Sequence, residues 1–116
     1  MSEELADEPL EFDEFELVLL VSGEHPPELD DDESERLHRR HLGHLRAMRD
    51  AGHLKVAGPL DEQRDERWRG LCFYQVGSIE EATRLASLDP AVVAGRFSVD
   101  VMKWYTPKGE VTFPSP

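Results

Sequence analysis

His41 is a polar ring where an apolar side chain is expected. Leu37, His41, Leu45 and Met48 recur at helical spacing and share one face. A histidine on such a stripe needs a hydrogen-bond partner, or its burial costs roughly 1–3 kcal/mol. It is either a satisfied core histidine or a group that moves protons near neutral pH. Asp89 directly precedes Pro90. Asp-Pro is a common turn, so this carboxylate either shapes the turn or carries chemistry. Neither residue is specific alone. No nucleophilic serine or cysteine pattern accompanies them. Cys72, between Leu71 and Phe73 in an apolar run, reads as an inert core thiol. His38, His41 and His44 are three apart and fan over about 120° of helix surface. Glu35 stands three residues before His38. A metal site would need further ligands converging from elsewhere, so no metal ligand is assigned. No GxGxxG, P-loop or CxxC motif is present, and no cofactor is expected.

The elements that must position these residues follow from hydrophobic pattern. Residues 1–14 hold seven acidic residues and few apolar anchors, and read as an acidic, mobile N-terminal extension. Phe15 to Ser22 is a buried strand closed by Gly23, and His25-Pro26-Pro27 interrupts the backbone. A helix follows with Asp32 or Ser34 as N-cap. It runs to about Asp50 and stops at Gly52. Leu54 to Ala57 is a brief strand ended by Gly58-Pro59. Asp61 to Arg67 is a solvated hairpin loop, and Leu71 to Val76 is the next strand. Ser78-Ile79-Glu80-Glu81 is a capping box that opens a second helix with Ile79, Ala82, Leu85 and Ala86 on one face. Ala91 to Ala94 forms one further turn, stopped by Gly95. In the last strand, Phe97 to Tyr105, Phe97, Val99, Val101 and Lys103 alternate against Ser98, Asp100, Met102 and Trp104. Trp68, Phe73, Tyr74, Trp104 and Tyr105 either line a pocket or belong to the core, the commoner place for aromatic residues in strands.

The order β-α-β-β-α-β is the split βαβ arrangement of a ferredoxin-like α+β domain with an antiparallel four-stranded sheet. It covers residues 15–107, and 108–116 form a tail. Helices cover only one face of such a sheet. The strands are apolar on both sides, so a second copy of the sheet is expected on the open face, giving a symmetric homodimer.

Charge narrows the partners. The formal net charge is −12, yet residues 1–35 hold 15 of the 25 acidic residues and no Lys or Arg. Residues 36–116 therefore hold 10 acidic residues against 13 basic ones, a net of +3. The acidic leader repels phosphate and argues against nucleic acid. The mildly basic body suits a small anionic ligand. No run approaches the roughly 18 apolar residues of a membrane helix. The N-terminus lacks the basic and apolar regions of a signal peptide, and a lone cysteine suits a reducing compartment, so the expected location is cytoplasmic.

Arg40-His41-Leu42, Gly52-His53-Leu54, Ala57-Gly58-Pro59, Ser87-Leu88-Asp89-Pro90 and Ala94-Gly95 occur in this order. In them the chain resembles the YCII-related (YciI-like) family. That family's pattern is a histidine–leucine in the first helix, AGP after the second strand, DP after the second helix and a glycine before the last strand. The resemblance spans about residues 15–107, departing at Arg39, where family members often have proline. It implies the dimeric α+β barrel superfamily. It also implies an active-site pair that maps to His41 and Asp89. On that reading His41 is general base or acid, Asp89 orients it, and Gly58 and Pro59 shape the pocket wall. The implied activity is cofactor-independent proton transfer on a small molecule, of isomerase or lyase type, with lactones or enol acids as candidate substrates. The alternative is a non-catalytic ligand-binding or regulatory domain on the same scaffold.

Overall fold

Apolar residues alternate with outward-facing ones along the strands, and that alternation builds a single sheet. The computed structural model describes residues 11–116. Its elements are β1 (Phe12–Ser22), α1 (Asp31–Asp50), β2 (Leu54–Pro59), β3 (Trp68–Tyr74), α2 (Ile79–Ala86), α3 (Pro90–Val93) and β4 (Phe97–Pro107). The sheet order is β2-β3-β1-β4 with antiparallel neighbours throughout. This is the expected ferredoxin-like α+β architecture.

On the helix side, Val18 and Leu20 of β1 join Cys72 and Tyr74 of β3 and Leu54 of β2. Ala82, Leu85 and Ala86 of α2 close over them, while Phe97, Val99 and Val101 of β4 pack against the same cluster. The predicted alternation along the last strand is therefore the observed one. Leu37 and His41 are the buried residues of α1, and Leu45 and Met48 continue that face onto the core.

Several boundaries differ from expectation. β1 begins at Phe12, three residues early, because Phe12, Asp13 and Glu14 pair with Pro107, Thr106 and Tyr105 of β4. Residues 1–10 of the expected extension lie outside the described residues. α1 is capped by Asp30, whose Oδ1 accepts from Glu33 N at 2.8 Å, not by Asp32 or Ser34. Any residue of that acidic run has the right side chain, and only the backbone turn selects one. Gly58 and Pro59 lie inside β2, pairing with Leu71 and Gly70, instead of ending it. An edge strand tolerates proline because its outer N–H has no ladder partner to lose. β3 starts at Trp68 and ends at Tyr74, since Leu54 of β2 pairs with Tyr74 there. In the C-terminal segment, the Phe113 ring meets Phe15 edge-on at 5.7 Å.

Candidate active site

α1 and α3 pack against one another, and His41 and Asp89 meet where they do. His41 is on the buried stripe of α1 and Asp89 is the N-cap of α3. His41 Nδ1 and Asp89 Oδ2 are 2.5 Å apart. The carboxylate's other oxygen, Oδ1, accepts from Ala91 N at 2.9 Å. Asp89 is only 2% exposed and His41 only 8%. A buried carboxylate held through both oxygens has little freedom, and it fixes the imidazole it touches. Phe97 meets the His41 ring edge-on at 5.5 Å, and His38 is its neighbour one turn away at 6.2 Å.

His41 also lines a cavity of about 470 Å³. Leu20, Leu42, Leu45 and Phe97 supply apolar walls, and Gly58 and Pro59 lie on the same lining. The structure thus brings three of the four sequence-derived positions to one cavity, while Asp89 lies behind His41. With Nδ1 engaged by Asp89, the opposite ring edge and its Nε2 remain for a ligand. Nε2 makes no hydrogen bond among the described residues.

His44, one turn along from His41, is half-buried. Its Nε2 is sealed from solvent and has no hydrogen-bond partner among the described residues. Burial is the main cause that lowers its pKa, and His41 adds to that. The Asp89 charge and the Leu85 carbonyl oppose it. The Cys72 thiol is pushed up to about 12 by burial, with a smaller contribution from Asp89. It stays protonated at neutral pH and is no nucleophile. Trp68, Phe73, Tyr74, Trp104 and Tyr105 do not line this cavity. Tyr74 is core, and burial raises its pKa. Among the described residues, no three His, Cys, Asp or Glu side chains converge as metal ligands.

Two functional candidates escaped the sequence reading, Arg69 and Arg96, both on the cavity wall. Arg96 carried a local signal, since it follows Gly95 at the start of a strand beside Phe97. Nothing local to Arg69 marks it.

The model of the YCII-related domain family matches residues 17–105. The chain belongs to that family. The search of curated proteins found no match to the sequence. Among solved structures, the YCII-related domain is similar to 5-chloro-2-hydroxyhydroquinone dehydrochlorinase (TftG) from Burkholderia phenoliruptrix AC1100, in complex with 2,5-dihydroxybenzoquinone. The similarity has a TM-score of 0.52 at 19% identity, covering 77% of this chain and 92% of that one. At that identity the likeness is one of fold. No helix among the described residues of the YCII-related domain is long and apolar enough to cross a membrane.

Proposed function

We propose that this YCII-related protein is a cofactor-independent enzyme in which His41, oriented by Asp89, moves a proton on a small molecule bound in the adjoining cavity. The observation that carries the reading is the contact between His41 Nδ1 and Asp89 Oδ2 at the wall of a cavity of about 470 Å³. Asp89 fixes which nitrogen bears hydrogen, so Nε2 is held as the base. That base takes a proton from a carbon next to a carbonyl. Returning it elsewhere is an isomerisation, and loss of a leaving group instead is an elimination. An elimination is the kind of reaction for which the structural neighbour is named, and lactones and enol acids have such carbons. Gly58 and Pro59 shape the wall facing the substrate. The cell's cytoplasm is the compartment proposed for this work.

The working unit we propose is a homodimer. Leu17, Leu19, Leu71, Phe73, Met102 and Trp104 share the sheet face opposite the helices, by their register and alternation. Met102 is 37% exposed. A second copy is the occupant that the apolar character of this face supports.

The test is turnover of lactones and enol acids by wild type and His41→Gln, with melting measured on both. Glutamine keeps a hydrogen bond and loses the titrating ring. Turnover is expected to fall roughly a hundredfold or more, with the fold intact. A variant that melts lower but turns over normally would give His41 a structural role alone.

A further inference from the structure

Among the described residues, the wall of the His41 cavity holds no Asp or Glu. Its charged side chains are Arg69 and Arg96, beside the titratable His38, His41 and Cys72. All of this wall but Leu20 comes from residues 36–116, whose net charge is +3, so it belongs to the basic body and not to the acidic leader. Neither arginine forms an ion pair among the described residues, where the pairs belong to Arg39, Arg67, Arg84, Lys103, Lys108 and the His41–Asp89 contact. Arg96 Nη2 donates to Ser34 Oγ at 2.6 Å, and Arg69 Nη1 reaches Ser22 Oγ at 3.4 Å. A guanidinium has five N–H donors, so each keeps donors for a ligand.

The backbone aims both side chains. In the β1–β3 ladder Leu20 pairs with Gly70 and Val21 with Trp68, which leaves Arg69 as the additional residue of a β-bulge. Regular alternation would turn Arg69 away from Gly70 and Cys72, onto the open face. The bulge instead brings it to Ser22 and over the Phe97 ring, 6.0 Å from the centroid. Ser22 and Phe97 are register partners, and Phe97 packs on the helix-side core. Arg96 is fixed from the other side. Gly23 N donates to the Arg96 carbonyl at 2.9 Å. A Cβ on Gly23 would stand 2.0 Å from the Gly95 oxygen, so only glycine permits this approach.

We propose that Arg69 and Arg96 are specificity-determining residues that select a small carboxylate for the His41 cavity. The inference rests on the cavity being the substrate site. A guanidinium fork pairs with a carboxylate through two parallel hydrogen bonds. Anchored there, the ligand presents its adjoining carbons to His41 Nε2. The same cations favour the negative charge that appears on the substrate when a proton leaves carbon.

Calorimetric titration of the full chain with benzoate and sorbate, each against its neutral amide, tests this without needing turnover. The wild type is expected to prefer each acid over its amide roughly tenfold or more, with the preference shrinking at high salt. Arg69→Gln and Arg96→Gln each remove most of that preference and leave amide binding unchanged. Arg96→Lys, which keeps the charge, restores part of it and controls for folding, as does melting of every variant. His41→Gln keeps the preference. Equal binding of acid and amide by wild type, binding of neither at millimolar concentration, or an undiminished preference in both glutamine variants overturns the proposal. Arginine-dependent carboxylate binding in a protein that turns nothing over would leave this inference standing and remove the catalytic one.

Discussion

Asp89 holds two things at once, and substitutions separate them. Its Oδ1 caps α3 through Ala91 N, and its Oδ2 fixes His41. Asparagine is as good an N-cap as aspartate, so Asp89→Asn should keep the turn and lose the imidazole's orientation. Turnover should drop with little change in melting. Asp89→Ala loses both and should be destabilised by a further ~1–2 kcal/mol, read as a lower melting temperature. Equal melting of the two variants would contradict the capping role. His44 gives a pH signature. Its folded pKa is lowered, chiefly by burial, so at neutral pH it is uncharged in both states. As pH falls below its ordinary value of about 6.5, the unfolded chain takes a proton that the folded one resists. The stability His44 contributes is therefore present above about pH 6.5 and lost as pH falls through the folded value. Between about pH 7 and pH 5.5, His44→Leu should lose less melting temperature than wild type. Parallel curves would contradict this. His41 was legible because a polar ring broke an apolar stripe at helical spacing. Asp89 was visible as Asp-Pro, but its contact with a side chain 48 residues away is a tertiary fact.

Strands and helices were readable wherever one face is apolar, and less so where charge enters a strand. Glu16 stands in the run that continues with Leu17, Val18, Leu19 and Leu20, a charged residue within a strand expected to be buried, with no local sign of what would pair with it. It is in fact 1% exposed. Its Oε1 accepts from Val76 N at 2.6 Å and Gly77 N at 3.1 Å, and its Oε2 accepts from Lys103 Nζ at 2.8 Å. The hydrogen bond that Lys103 donates to Glu16 is the main cause that raises the Lys103 pKa. Glu16 thereby ties β1 to β4 and to the turn that leads into α2. Its partners lie 60 to 87 residues away, which no local pattern reveals. Glu16→Gln keeps the size and loses the charge. Because Lys103 is 23% exposed and can turn to water, the loss falls below the roughly 3–5 kcal/mol of a fully buried pair that loses one partner. A cost of roughly 2 kcal/mol is expected, on the order of 8 °C in melting temperature. A shift under about 2 °C would show that the clamp does little. The bulge at Arg69 was invisible for a related reason, since a bulge is a mismatch between two registers and only one strand is local to it.

At the scale of the molecule, the antiparallel sheet with helices on one side followed from element order alone, and the apolar open face followed from strands without a polar side. The dimer we propose on that face has a simple test. Phe73, partly exposed beside Trp104 at 5.3 Å, lies toward its middle. Sedimentation at micromolar concentration should give twice the 13.2 kDa chain mass for wild type and the single mass for Phe73→Glu. A monomeric wild type would contradict it. The central claim is that His41 moves a proton to and from carbon. Hydrogen exchange into enol acids and lactones in heavy water, followed by proton NMR, reads that step directly, whether or not a product accumulates. Wild type should wash deuterium into one carbon position, and His41→Gln should do so roughly a hundredfold more slowly. Exchange at the same rate in both proteins would contradict the account.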